Sequence, residues 1–181
     1  METDPRPRFP WLWLAPSAVL LAVMTAWGAA AYPDLPEVVP SHIGPGGVNA
    51  RSPRTVGSAF VPVFLYIATT VLLTTAAFVT VRTVPESELP SGRGPDVFKR
   101  TATWASAARY AKAILVFNAA LGVALLPLCA VQWRTTRAAE VPWWPFPLLL
   151  VLIVVGLVPL FVAARRDRAE KRLRASSDGG R

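Results

Sequence analysis

The chain has 181 residues, 53% of them hydrophobic, with mean hydropathy +0.41 and formal net charge +8. This composition excludes an ordinary soluble domain, and the single cysteine, Cys129, excludes an internal disulfide and a multi-cysteine metal site. The basic residues show no interleaving with aromatics of the kind that reads nucleic acid, so no nucleic-acid partner is expected.

Four apolar runs are long enough to cross a hydrocarbon core, which takes about 20 helical residues. They cover roughly 11–32, 59–81, 113–131 and 146–164. Each is nearly free of charge and apolar all round, unlike the alternating strands of a membrane barrel. Backbone groups in lipid must pair within the segment, so helices are expected. The predicted fold is an all-α membrane protein with four transmembrane helices, an irregular outer loop and a basic amphipathic cytoplasmic helix.

The first helix is expected to start after Pro10, with Trp11 and Trp13 at the headgroup level. Its apolar stretch exceeds the 7–15 residues of a signal h-region, so it is expected to stay uncleaved. Ala18, Ala22, Ala26 and Ala30 recur at spacing four and form a candidate packing face. The outer loop spans about 33–56. Its prolines forbid a regular helix and Gly44, Gly46 and Gly47 favour tight turns.

The second run is expected to begin near Gly57, with Ser58 as N-cap and Pro62 in an early turn. Thr69, Thr70, Thr74, Thr75 and Thr80 decorate it, as a polar seam or as hydroxyls bonded to the preceding turn. The middle loop opens on a Pro-, Gly- and Ser-rich stretch. From Asp96 a helical pattern resumes, with Lys99, Arg100, Arg109 and Lys112 among Val97, Phe98, Trp104 and Tyr110. This reads as an amphipathic helix lying at the headgroups. Asn118, inside the third run, is expected to bond a neighbouring helix. Gly156 and Pro159 are expected to bend the fourth helix. The basic segment after it reads as a topology anchor, one or two helical turns long.

Four segments result: a two-helix unit with the outer loop at 1–82, a cytoplasmic linker at 83–112, a second helix pair at 113–164 and a basic tail at 165–181. Fifteen of the nineteen lysines and arginines fall before the first run, between the second and third, and after the fourth. The positive-inside bias therefore predicts both termini in the cytoplasm and the 33–56 loop outside.

Catalytic groups are scarce. No phosphate-binding loop or nucleophile elbow is present. No catalytic residue, cofactor or metal site is predicted. Asp34, Glu37 and His42 are the nearest approach to an outward zinc site, the basis of a metal-enzyme alternative. His42, the only histidine, either contacts a ligand or proton or fixes its loop through a carbonyl. A transporter subunit, with the threonines and Asn118 along a polar path, is the other alternative.

The order Leu35-Pro36-x-x-Val39-Pro40-x-His42, then Gly47, then the basic Arg54, resembles a short membrane domain found in bacterial proteins related to SdpI, a bacteriocin immunity and signalling protein. The resemblance covers about 13–81. It implies a multi-pass protein of the bacterial plasma membrane with an outer Leu-Pro…Pro-x-His loop between two helices. Leu35, Pro36, Pro40, His42, Gly47 and Arg54 are the candidate loop residues. Ile43 stands where the family often has an aromatic, Ala50 where it often has aspartate, and Arg54 where it usually has lysine. The second half lacks the Asn-rich and Arg-Thr signature of the SdpI C-terminal domain. The expected role is non-enzymatic contact with an envelope ligand, a membrane-protein partner or a second copy, within the lipid bilayer.

Overall fold

A computed structural model describes residues 6–44, 47–89, 100–133 and 144–178; of 41–44, 47–49, 177 and 178 it describes the backbone. A 3-10 turn at Trp11–Leu14 leads into helix α1 (Ala15–Ala31), with Pro16 in the first turn, where a missing N–H costs nothing. Strands β1 (Val38–Gly44) and β2 (Gly47–Pro53) follow, then the short α2 (Val56–Ala59) and the long α3 (Val61–Arg82). Helices α4 (Trp104–Gln132) and α5 (Pro145–Asp178) complete the described chain. Four of the described helices are long and apolar enough to cross a membrane: α1, α3, α4 and α5 with their flanking turns.

Their apolar side chains face outward. Leu72 on α3 is 68% exposed and Phe161 on α5 is 64% exposed. Such surfaces are costly in water and suited to lipid. Inside, α4 is the central helix and packs against α1, α3 and α5. One core holds Met24, Val63, Tyr66, Cys129 and Trp133 at the hairpin end. A second joins Ala77, Val81, Ala111 and Leu115 at the other end. Phe9 there lies 5.9 Å from Phe78 of α3. The described N-terminal residues and the charged half of α5 thus share one end of the bundle.

Between the cores sits a small polar cluster. Asn118 Nδ2 donates to Ser17 Oγ at 2.8 Å and to Thr70 Oγ1 at 3.2 Å, tying α4 to α1 and α3. The expected interhelical role of Asn118 is what the structure shows. Thr69 and Thr80 donate to carbonyls one turn back, so the threonine seam is split: these two serve their own helix, whereas Thr70 faces the bundle. Replacing Asn118 with leucine is expected to cost about 1 kcal/mol, since such pairs in lipid contribute modestly and Ser17 and Thr70 can turn to their own backbones. Unfolding in a mixed-detergent titration measures it.

Several expectations are corrected. The segment expected as an irregular outer loop forms a two-stranded antiparallel hairpin. Thr55, not Ser58, caps the helix after it: Thr55 Oγ1 accepts from Ser58 N at 3.1 Å and Ser58 Oγ accepts from Thr55 N at 3.0 Å, a reciprocal capping box. Ala18, Ala22, Ala26 and Ala30 are exposed, while Ser17, Met24 and Gly28 face the bundle. Alanine spacing misled because the packing line, through positions 17, 24 and 28, runs along another face of the helix. Helix α4 starts at Trp104, capped by Thr103 Oγ1 accepting from Ser106 N at 3.0 Å. Arg100–Thr103 are not helical, and residues 96–99 of the expected amphipathic helix lie outside the described residues. Helix α5 runs on through Gly156 and Pro159 to Asp178, far beyond one or two turns of tail. Gly156 allows close approach of two helices: a Cβ there would meet Ala120 Cβ of α4 at 2.6 Å.

Candidate functional site

An isolated two-stranded hairpin is marginal in water, so something must hold this one. Its sequence suits the form. Pro40 and Pro53 sit where each strand has a free edge and no ladder partner is lost on the outer side. Pairing runs Val38 with Pro53, Val39 with Ser52 and Pro40 with Arg51, then shifts to His42 with Ala50, and shifts back to Ile43 with Val48 and Gly44 with Gly47. Ser41 is the extra residue on β1 and Asn49 on β2. The His42–Ala50 pair therefore lies between two opposed bulges, which bend and twist a ribbon locally and re-aim its side chains. The side chain of His42 itself is outside the described residues.

The base of the hairpin is anchored by named groups. Leu35 and Val39 are buried, at 3% and 0% exposure, in the core with Met24, Ala59, Val63 and Trp133. Arg54 N donates to Glu37 O at 2.7 Å, closing the ribbon. The Arg54 guanidinium lies over the Tyr32 ring, 5.6 Å from its centre, and Nη1 donates to Pro33 O at 3.0 Å and Leu35 O at 2.6 Å. Arg54 thus clamps the turn that carries Leu35 and Pro36. Those carbonyls follow the end of α1, where partial negative charge accumulates and a cation is favoured.

From α4, the Gln132 side-chain amide gives both hydrogens to backbone carbonyls: Pro40 O at 2.7 Å and Ser58 O at 2.9 Å. Trp133 Nε1 donates to Ala59 O at 2.8 Å. Its ring lies 5.3 Å from that of Trp27 and 5.9 Å from that of Phe60. It also lies against α1 at Gly28, where a Cβ would come within 2.6 Å of the indole Cζ2. Replacing Gln132 with leucine leaves two carbonyls without donors and is expected to cost about 1–3 kcal/mol. Amide hydrogen exchange should rise across 38–53 and little elsewhere.

The predicted loop residues therefore fall into two sets. Leu35, Pro36, Pro40 and Arg54 converge on the anchored base. His42 and Gly47 lie along the ribbon beyond it, Gly47 opening β2 opposite Gly44. Asp34 and Glu37 are exposed. Among the described residues no three metal-ligating side chains cluster. Gln132 and Trp133 were missed by sequence reasoning. A polar–aromatic pair closing an apolar run was the available signal, but it reads equally as an ordinary interface belt.

A second polar cluster sits at the opposite end, in the segment that composition marks as a tail. Asp167, 6% exposed, accepts from Ala102 N at 2.7 Å and from Ser106 Oγ. Glu170 pairs with Arg109 and accepts from Thr103 Oγ1 at 3.2 Å. Lys171 Nζ bonds Glu86 at 2.5 Å and Arg100 O at 2.6 Å. These bonds fix the charged half of α5 to α4 and to the segment preceding it. The two acids within a basic run, Asp167 and Glu170, were the sequence signal for this cluster.

These features define a membrane-embedded bundle of four apolar helices with a β-hairpin docked on one end. Residues 19–66, from within α1 through the hairpin into α3, match the family model described as a domain of unknown function, DUF1648. No curated protein and no solved structure matches the chain.

Proposed function

We propose that the chain is a non-enzymatic multi-pass protein of the bacterial plasma membrane whose hairpin is an outward recognition surface for an envelope ligand or a membrane-protein partner. The observation that carries this reading is a hairpin anchored at its base by three helices, with the His42–Ala50 pair set between two bulges. Anchoring limits the ordering entropy a partner must overcome on binding. The charge bias supports both chain ends inside and the hairpin outside. The resemblance to SdpI-related proteins makes an immunity or signalling role the nearest physiological setting.

The test is in-cell crosslinking from a photoreactive residue placed at position 48, in otherwise unchanged protein and in His42→Ala. A defined crosslinked partner whose yield falls at least about fivefold in His42→Ala, at equal protein abundance, is expected. That ratio corresponds to about 1 kcal/mol. Equal yields, or no specific product, would refute the recognition reading.

A further inference from the structure

The second end of the bundle holds a cavity of about 650 Å³ between α3 and α5. Its lining includes Val79 and Thr83 from α3, Arg100 and Thr101 from the preceding segment, Tyr110 from α4, and Arg168 and Lys171 from α5. It lies where the apolar stretches of α3 and α5 give way to charge, at Arg82 and Arg165. In a membrane that is the headgroup boundary. Pockets for small ligands commonly occupy about 300–1,000 Å³.

The local charges favour an anion. Arg100, Arg168 and Lys171 line the cavity. One acid, Asp167, lines it too, with Oδ1 taken by Ala102 N and Ser106 Oγ, and Lys171 is paired with Glu86, so the excess positive charge of the lining rests on Arg100 and Arg168. Arg168 also borders an adjoining groove with Arg165 and Arg172. The three arginines follow one another at spacings of three and four, so they share one face of α5.

The same face continues upward as Phe161, Val158 and Val154, which are 64%, 52% and 56% exposed. One stripe of α5 therefore runs from exposed apolar residues into arginines. That is the order of groups along a phospholipid, from acyl chain to phosphate. A free anion has no use for the apolar half.

We propose that this cavity is a binding site for an anionic phospholipid, with Arg168 at the lipid phosphate and the acyl chains along Val154, Val158 and Phe161. Arg100 adds positive potential, and the hydroxyls of Thr101 and Tyr110 stand at the wall as polar contacts. Because α5 is held by Asp167 and Glu170, the arginine stripe is presented on a fixed helix rather than on a loose tail.

The experiment uses the purified full chain and native mass spectrometry, with phosphatidylglycerol, phosphatidylcholine of the same acyl chains, and inorganic phosphate as probes. The unaltered protein is expected to retain phosphatidylglycerol at least about tenfold better than phosphatidylcholine. Arg168→Gln should weaken retention about fivefold, the effect of one lost basic residue near an anionic lipid. Arg166→Gln, on another face of α5, should change it less than twofold. Equal retention of the two lipids overturns the proposal. So does an equal loss in Arg168→Gln and Arg166→Gln, which marks diffuse attraction. Displacement of phosphatidylglycerol by inorganic phosphate assigns the cavity to a free anion and also overturns it. If Arg168→Gln does not fold, the comparison of the two lipids on unaltered protein decides alone.

Discussion

Replacing Trp133 with alanine is expected to destabilise the protein by about 3–5 kcal/mol, the usual range for truncating a buried tryptophan. The side chain is 4% exposed and joins three elements at once. Its indole N–H holds Ala59 O, and its ring packs against Trp27, Phe60 and Gly28. Truncation opens a void where α1, α2 and α4 meet and leaves a buried carbonyl without a donor. Trp133→Phe keeps most of the apolar contact and loses the hydrogen bond, for an expected loss of about 1 kcal/mol. Thermal unfolding in detergent, followed by tryptophan-independent aggregation, ranks the variants. A loss as large in Trp133→Phe as in Trp133→Ala would show that the Ala59 bond outweighs the packing.

The second large effect is expected at Asp167. Its carboxylate accepts from a backbone amide and a serine hydroxyl in a nearly closed site, with Lys171 Nζ at 3.8 Å from the other oxygen. Hydrogen bonds to a charged acceptor contribute about 1.5–3 kcal/mol each. Asp167→Ala removes two and should cost at least about 3 kcal/mol. Asp167→Asn retains an acceptor oxygen and should cost about half as much. Limited proteolysis checks the location of the damage: cleavage after Arg165, Arg166 or Arg168 should accelerate in Asp167→Ala. Unchanged cleavage there would mean that the helix end is held by Glu170 and Lys171 without Asp167.

The helices were legible because their signal is long and redundant. Twenty apolar residues in a row tolerate errors at either end: three of the four expected runs fall within the long helices, and the run at 59–81 starts two residues before its helix. The hairpin was not legible, because prolines and glycines signal turns without revealing that Val38 and Val39 pair with Ser52 and Pro53. Register in such a ribbon depends on docking, and the docking groups come from distant sequence. Arg54 shows the difference. Its place in the motif was visible, but its role as a clamp on the carbonyls of Pro33 and Leu35 required the fold. Asp167 shows the reverse risk. A basic run looks like a topology anchor because charge alone explains it, and the acid inside it is easily passed over. Asn118 was read correctly because a lone amide in lipid has few alternatives to a partner on another helix.

Gln132 reaches Pro40 across 92 residues of sequence, and Trp133 reaches Ala59 across 74. The hairpin segment is therefore synthesised long before these two groups of α4. Until α4 is in place, Pro40 O lacks its Gln132 donor, although Ser58 Oγ already donates to Pro53 O, and the buried Leu35 and Val39 lack the far wall of their core. A chain stopped after α3 would contain the whole segment matched by the family model and still lack the parts that make the hairpin a fixed object. Completion of this surface thus waits for α4, the helix that supplies its last contacts.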